Sequence, residues 1–86
     1  MKEQEKILKA LANHRRLQIV KYIKEQKQAT VGAVAGHIKL SFKSTSKHLM
    51  VLHNAGILDK EQKALLVFYS ISKSLPRIAK QIIDVI

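Results

Sequence analysis

Residues 40–58 read LSFKSTSKHLMVLHNAGIL, and this stretch decides the fold. Ser41 is a good helix N-cap, because its hydroxyl can accept a hydrogen bond from a free backbone N–H of the first turn. Phe42, Thr45, Leu49 and Leu52 then recur at helical spacing and mark one packing face. Lys43, Ser44, Lys47 and Asn54 occupy the opposite face, where every side chain can donate a hydrogen bond and none is acidic. Gly56 stands where a left-handed cap can end the helix. The element expected is a helix over about 42–54, roughly three to four turns long, with Phe42 either turned inward, the favoured reading, or free to touch a thymine methyl in DNA. A helix with one apolar and one donor-rich face suits the DNA major groove, although an ordinary solvated surface helix has the same pattern.

Outward from this helix, the pattern divides into short elements. Lys2 to about Ala10 reads as a helix with Ile7, Leu8 and Leu11 on one side. Asn13 is a plausible N-cap for a second helix from His14 to about Gln26, with Leu17, Ile19, Val20 and Ile23 as its apolar stripe. Residues 27–30 (KQAT) form a turn that ends in a further N-cap, Thr30. A short helix follows from Val31 to about Ile38, with Val34, Ala35 and Ile38 inward. Lys39 and Leu40 turn the chain into the helix at 42–54. Beyond Gly56 the period changes, because β-branched and aromatic residues cluster. Two strands are expected, Ile57–Gln62 and Leu65–Ile71, joined at Lys63 and Ala64. Ser74 is the expected cap of a last helix with Pro76 in its first turn, where a missing N–H costs little. Leu75, Ile78, Ala79, Ile82, Ile83 and Ile86 supply its apolar stripe. The fold class expected is α+β and mostly α: a winged helix-turn-helix in the order α-α-α-α-β-β-α, one domain over 1–86.

Composition narrows the function. Sixteen Lys and Arg oppose six Asp and Glu, for a net charge of +10. No carboxylate lies between Glu25 and Asp59, whereas Lys27, Lys39, Lys43 and Lys47 fall inside that window. Such a field favours polyanions, with nucleic acid first and an anionic membrane second. The absence of cysteine excludes disulfides and thiolate metal sites. No run of about 18 or more uncharged apolar residues occurs, so no membrane-spanning helix is expected. The opening MKEQEKILKAL is charged and amphipathic, unlike a secretion signal, and a cytoplasmic location is the expectation. His14, His37, His48 and His53 lie on different segments or faces with no ligand-spaced pair, so no metal or other cofactor is expected. No Ser-His-Asp set or phosphate-binding Gly-rich loop appears, which speaks against an enzyme.

Three segments together carry a family resemblance: ALANHRRLQIVKYI (10–23), TVGAVAGHIKLSFKSTSKHLMVLHNAGIL (30–58) and VFYSIS (67–72). They resemble the ArsR-type transcription regulators, most specifically at Ser41, Ser46, His48, Leu49, Leu52, Ala55 and Gly56. The resemblance implies a homodimeric repressor on a palindromic double-stranded operator, paired through its first and last helices. The interface it implies comprises Ile7, Leu8, Leu11, Leu75, Ile78, Ala79, Ile82, Ile83 and Ile86. Many members sense metal through Cys-x-Cys at the start of the third helix, where this chain has Thr30 and Gly32. Others use Asp and His pairs on the last helix, which here offers only Asp84. For base contact the candidates are Lys43, Ser44 and Lys47. Ser41, Ser46 and His48 are read as phosphate or capping groups, Arg16 as support for the backbone contact or for the fold, Lys39 as a further DNA contact, and Lys60 and Lys63 as charging the wing. Members often carry Gln at the position of Phe42, so their sequence preference does not transfer. Three other readings fit some of the same features: a non-specific nucleic-acid architectural protein, a winged-helix protein-interaction module, and peripheral binding to an anionic membrane by the terminal helices. The last is disfavoured because the final helix carries only Arg77 and Lys80 on its polar side, so no membrane partner is expected.

Overall fold

The computed structural model describes residues 1–86. Five helices and three strands follow one another as α1 (Lys2–Leu11), α2 (His14–Gln26), β1 (Ala29–Thr30), α3 (Val31–Ile38), α4 (Phe42–Asn54), β2 (Leu58–Lys63), β3 (Leu66–Ile71) and α5 (Arg77–Asp84). This is a winged helix-turn-helix, with α3 and α4 as the helical pair and the β2–β3 hairpin as the wing. Three of the four expected N-caps form: Asn13 accepts from the Arg16 N–H, Thr30 from Ala33 and Ser41 from Ser44. Each satisfies a donor that the first turn leaves orphaned. At the far end of α4, the Ile57 N–H donates to the Leu52 carbonyl and the Gly56 N–H to His53, both at 3.0 Å. Gly56 has φ +79°, so this is a Schellman cap, in which glycine adopts the left-handed conformation at little cost.

One core ties the elements together. Ile19, Val20 and Ile23 of α2 are fully buried against Val34 of α3, Leu49 and Leu52 of α4, and Ile57 and Leu58 at the root of the wing. Ile7 and Leu11 close one end of this core from α1, and Ala79 and Ile83 do so from α5. The inward positions expected on α2, α3 and α4 therefore pack as their spacing requires, except Phe42, which is 63% exposed. Phe42 is the first residue of α4 and overhangs the core edge, while Thr45 and Leu49 fill the space one and two turns later. On α1, Ile7, Ala10 and Leu11 are buried, whereas Leu8 lies outside the core.

Three boundaries differ from expectation, each for a local reason. Residues Ala29 and Thr30 form a short strand rather than a turn, pairing antiparallel with β3 at Ala29↔Tyr69 and Thr30↔Phe68. Two residues are too few to display a period, so the sheet order β1-β3-β2 has no signature along the chain. In the wing, Ile57 is occupied by the α4 cap, so β2 begins at Leu58 and the two-residue turn moves to Ala64 and Leu65. Finally, Ser74 does not cap α5: its N–H donates to Ser72 Oγ, and Pro76 holds the N-cap position without a side-chain hydrogen bond. A Ser74 cap would need Leu75 to be helical, and a residue that precedes proline is driven out of the α region.

Candidate nucleic-acid interface

The turn between α3 and α4 sets how α4 is presented. Lys39 takes a left-handed conformation with φ +56° and ψ 52°, and the Leu40 N–H closes on the Ala35 carbonyl at 3.1 Å. A residue with a Cβ at such a position carries strain of about 1–2 kcal/mol. Glycine would remove it, yet the position holds an exposed lysine. Leu40 and Ser41 then lead directly into the first turn of α4. Thr45, Leu49 and Leu52 are fully buried, so the opposite face of α4 is fixed outward, and Lys43, Lys47, Met50 and Asn54 lie exposed along it. Ser44 and Ser46 flank that face, half-buried. Thr45 Oγ1 is buried without a hydrogen-bond partner, a cost borne inside the helix that presents the lysines.

Arg15 and Arg16 brace this helix-turn-helix from behind. The Arg15 guanidinium donates from Nη1 to the Ile38 carbonyl at 2.6 Å, so that a cation sits at the C-terminal end of α3, where the helix dipole favours it. Arg16 spans three elements: Nε donates to the Ala10 carbonyl (2.6 Å), Nη2 to the Lys9 carbonyl (3.2 Å) and Nη1 to His48 Nδ1 (3.2 Å). A guanidinium can only donate, so His48 Nδ1 must accept and the ring proton must reside on Nε2. Burial, followed by the charges of Arg16 and Arg15, holds the His48 imidazole below its ordinary pKa. Arg16 and His48 thus form an internal strut between the end of α1 and the middle of α4.

The other candidates separate by environment. Ser41 Oγ is spent on its cap, although the residue itself is exposed. Lys60 stands exposed on β2. Lys63 is engaged by its own surroundings: its ammonium lies 3.6 Å from Glu61 Oε1, donates to Gln28 Oε1 at 3.2 Å and covers the Phe68 ring at 5.3 Å. Among the histidines, His37 stacks on Tyr22 with ring centroids 4.2 Å apart, His53 Nδ1 pairs with the Leu58 carbonyl at 2.9 Å, and His14 faces solvent. Sequence reasoning missed Arg15, because the family resemblance that singled out Arg16 gives its neighbour no separate signal. It also missed the apolar cleft that Phe42 lines with Leu65 and Leu66 at the wing tip; adjacent leucines at the end of the hairpin turn were its one trace.

The terminal helices divide the expected dimer residues into two groups. Ile7, Leu11, Ala79 and Ile83 are buried within the chain itself. Leu8 is 43% exposed on α1, and Leu75, Ile78, Ile82 and Ile86 are only partly covered. Lys24 Nζ donates to the Ile83 carbonyl at 2.9 Å, and a Lys80–Asp84 pair at 2.8 Å closes the end of α5. The hydrogen bond from Lys80 holds the Asp84 carboxyl below its ordinary pKa.

The profile described as "Bacterial regulatory protein, arsR family" matches residues 13–60, the span from the α2 cap into the wing. The chain belongs to the arsR family of bacterial regulatory proteins. Among curated proteins it is similar to the transcriptional activator HlyU of Vibrio cholerae, with 35% identity over 68 residues, covering 79% of this chain and 62% of that protein. The structure of reduced HlyU from Vibrio cholerae superposes with TM-score 0.83 at 31% identity, covering 96% of this chain and 83% of that one. The transcriptional repressor PagR of Bacillus anthracis gives TM-score 0.81 at 26% identity, covering 98% and 92% of the two chains. A homodimeric winged helix-turn-helix DNA-binding domain from Mycobacterium bovis shares the fold, with TM-score 0.84 at 24% identity over 98% and 74% of the chains. The arsR family consists of regulators rather than enzymes. No helix is long and apolar enough to cross a membrane.

Proposed function

We propose that residues 1–86 form a single DNA-binding domain that acts as a homodimeric, sequence-specific transcriptional regulator in the cytoplasm. In this reading α4 enters the major groove and the β2–β3 wing follows the neighbouring backbone or minor groove, as helix-turn-helix proteins dock. The observation that carries it is the outer face of α4: Lys43 and Lys47 lie exposed there while Thr45, Leu49 and Leu52 anchor the helix inward. Lys43, Ser44 and Lys47 supply base contacts. Lys39, Ser41, Ser46 and Lys60 contact phosphates, which fix register without reading sequence. His48 offers its Nε2–H as a further donor to phosphate, while Arg16 acts through His48 and Lys63 steadies the wing. Two domains pair through α1 and α5, with Leu8, Leu75, Ile78, Ile82 and Ile86 meeting their copies, and the two-fold axis matches a palindromic operator.

Repression follows from occupancy, since a dimer over a promoter excludes polymerase, as the name of the Bacillus anthracis relative suggests. Activation is a second reading, favoured by the name of the Vibrio cholerae relative. A reporter assay with the operator placed over, or upstream of, the core promoter separates the two. The test of DNA binding is a salt titration. Neutralising about six to ten phosphates per dimer should lower affinity by roughly 10³–10⁵ between about 50 and 200 mM salt. An affinity that barely changes over that range contradicts the reading.

A further inference from the structure

Phe42 and the wing tip form an apolar cleft beside the lysine-bearing face of α4. The Phe42 ring is 63% exposed, and Leu65 at the hairpin turn is 95% exposed. With Val31, Leu66 and Val67 they line a cleft of about 300 Å³, its rim completed by Thr30 and Gly32. A large apolar side chain at the first position of a helix could have been polar at no cost to this core, because Thr45 and Leu49 already fill the inward space. The ring also flanks the donor face of α4, beside Lys43. The electrostatics around it select a polyanion: no carboxylate lies between Glu25 and Asp59, and Lys39 and Lys43 stand on either side in sequence.

We propose that Phe42 is a specificity-determining residue that reads thymine, its ring meeting the C5-methyl group in the major groove. This rests on the placement of α4 in the major groove proposed above and goes further by naming the base. Only thymine carries an apolar group on that groove edge, and apolar side chains contact it. The N-terminal residues of a recognition helix are the ones that reach base edges. Leu65 and Leu66 wall the far side of the cleft and keep the contact dry as the wing closes on the backbone. Each half-site of the preferred operator therefore carries a thymine opposite Phe42, next to the base read by Lys43.

The test starts from random DNA. The 86-residue chain and its Phe42→Ala variant are each used to select duplexes from a random library. Deoxyuridine, which lacks the methyl, then replaces thymine position by position in the duplex enriched by the unsubstituted chain. Loss of one buried methyl should weaken binding about fourfold at one thymine per half-site. Phe42→Ala should select duplexes without a preference at that position and should bind the thymine and deoxyuridine duplexes alike. An enriched duplex that tolerates every deoxyuridine replacement, or a methyl effect that persists in Phe42→Ala, overturns this proposal alone. Unchanged affinity of Phe42→Ala for the enriched duplex also overturns it and leaves the cleft to another partner. A library that yields no enriched duplex overturns it together with the reading of α4. Far-UV circular dichroism of Phe42→Ala confirms the fold in each case, as an exposed ring leaves no cavity behind.

Discussion

Replacing Arg16 with methionine removes the strut between α1 and α4 and keeps most of the apolar stem. Three acceptors lose their donor: the Ala10 and Lys9 carbonyls and His48 Nδ1. A hydrogen bond from a charged donor contributes about 1.5–3 kcal/mol when buried. Arg16 is half-buried, so water replaces part of this at the carbonyls, and the loss for the set is about 2–4 kcal/mol. That is a large share of the roughly 4–13 kcal/mol expected for a chain of this size. With a urea slope of about 1 kcal/mol/M, the unfolding midpoint should fall by roughly 2–4 M. Circular dichroism at the helix band measures the midpoint, and the titration of His48 followed by NMR gives an independent signature. Removal of the Arg16 charge should raise the His48 pKa toward its ordinary value, since that charge is one of the causes that lower it. A midpoint shift below about 0.5 M, or a His48 titration unmoved by the substitution, would refute the strut.

The His48 environment also sets a pH dependence. An imidazole whose pKa is lowered by folding takes its proton more readily in the unfolded chain, so stability should fall as pH drops below about 6.5 and level off below the folded pKa. Thermal melts of His48→Gln should lack that slope. Lys39→Gly should raise stability by about 0.5–1 kcal/mol in urea melts, because glycine relieves the left-handed strain. The same change should weaken DNA binding and reduce the slope of log affinity against log salt by about one for each phosphate no longer neutralised. Ala64→Gly in the wing turn, where φ is +56°, should gain a similar stability without the loss in DNA affinity. Thr45→Val removes a buried hydroxyl that has no partner and should be neutral or stabilising by up to about 1 kcal/mol, against the destabilisation usual for core changes.

Where a feature depends on residues near one another in sequence, it was readable. The caps at Asn13, Thr30 and Ser41, the stop at Gly56 and the buried stripes of α2, α3 and α4 all follow from short-range chemistry, and together they place α4 with its lysines outward. Features made by distant pairing were not. The strand at Ala29–Thr30 exists because β3 lies beside it, and neither residue announces that. Phe42 has the spacing of a core residue, and only the packing of Thr45 and Leu49 leaves it outside. Arg16 could be singled out by position, but its role as a strut depends on His48, 32 residues later. For the same reason the apolar stripes of α1 and α5 did not reveal which residues the chain buries in itself. Ile7, Leu11, Ala79 and Ile83 turn inward, while Leu8 and Val85 remain exposed.

Sequence-specific DNA recognition by α4 is tested most directly by fluorescence anisotropy at one fixed salt near about 150 mM. The duplex enriched from the random library is compared with a shuffled duplex of equal length and composition. The account predicts that the enriched duplex binds about a thousandfold or more tightly, and that this ratio collapses when Lys43 and Lys47 are both replaced by alanine. Equal affinity for the two duplexes, or a ratio unaffected by those replacements, would contradict it.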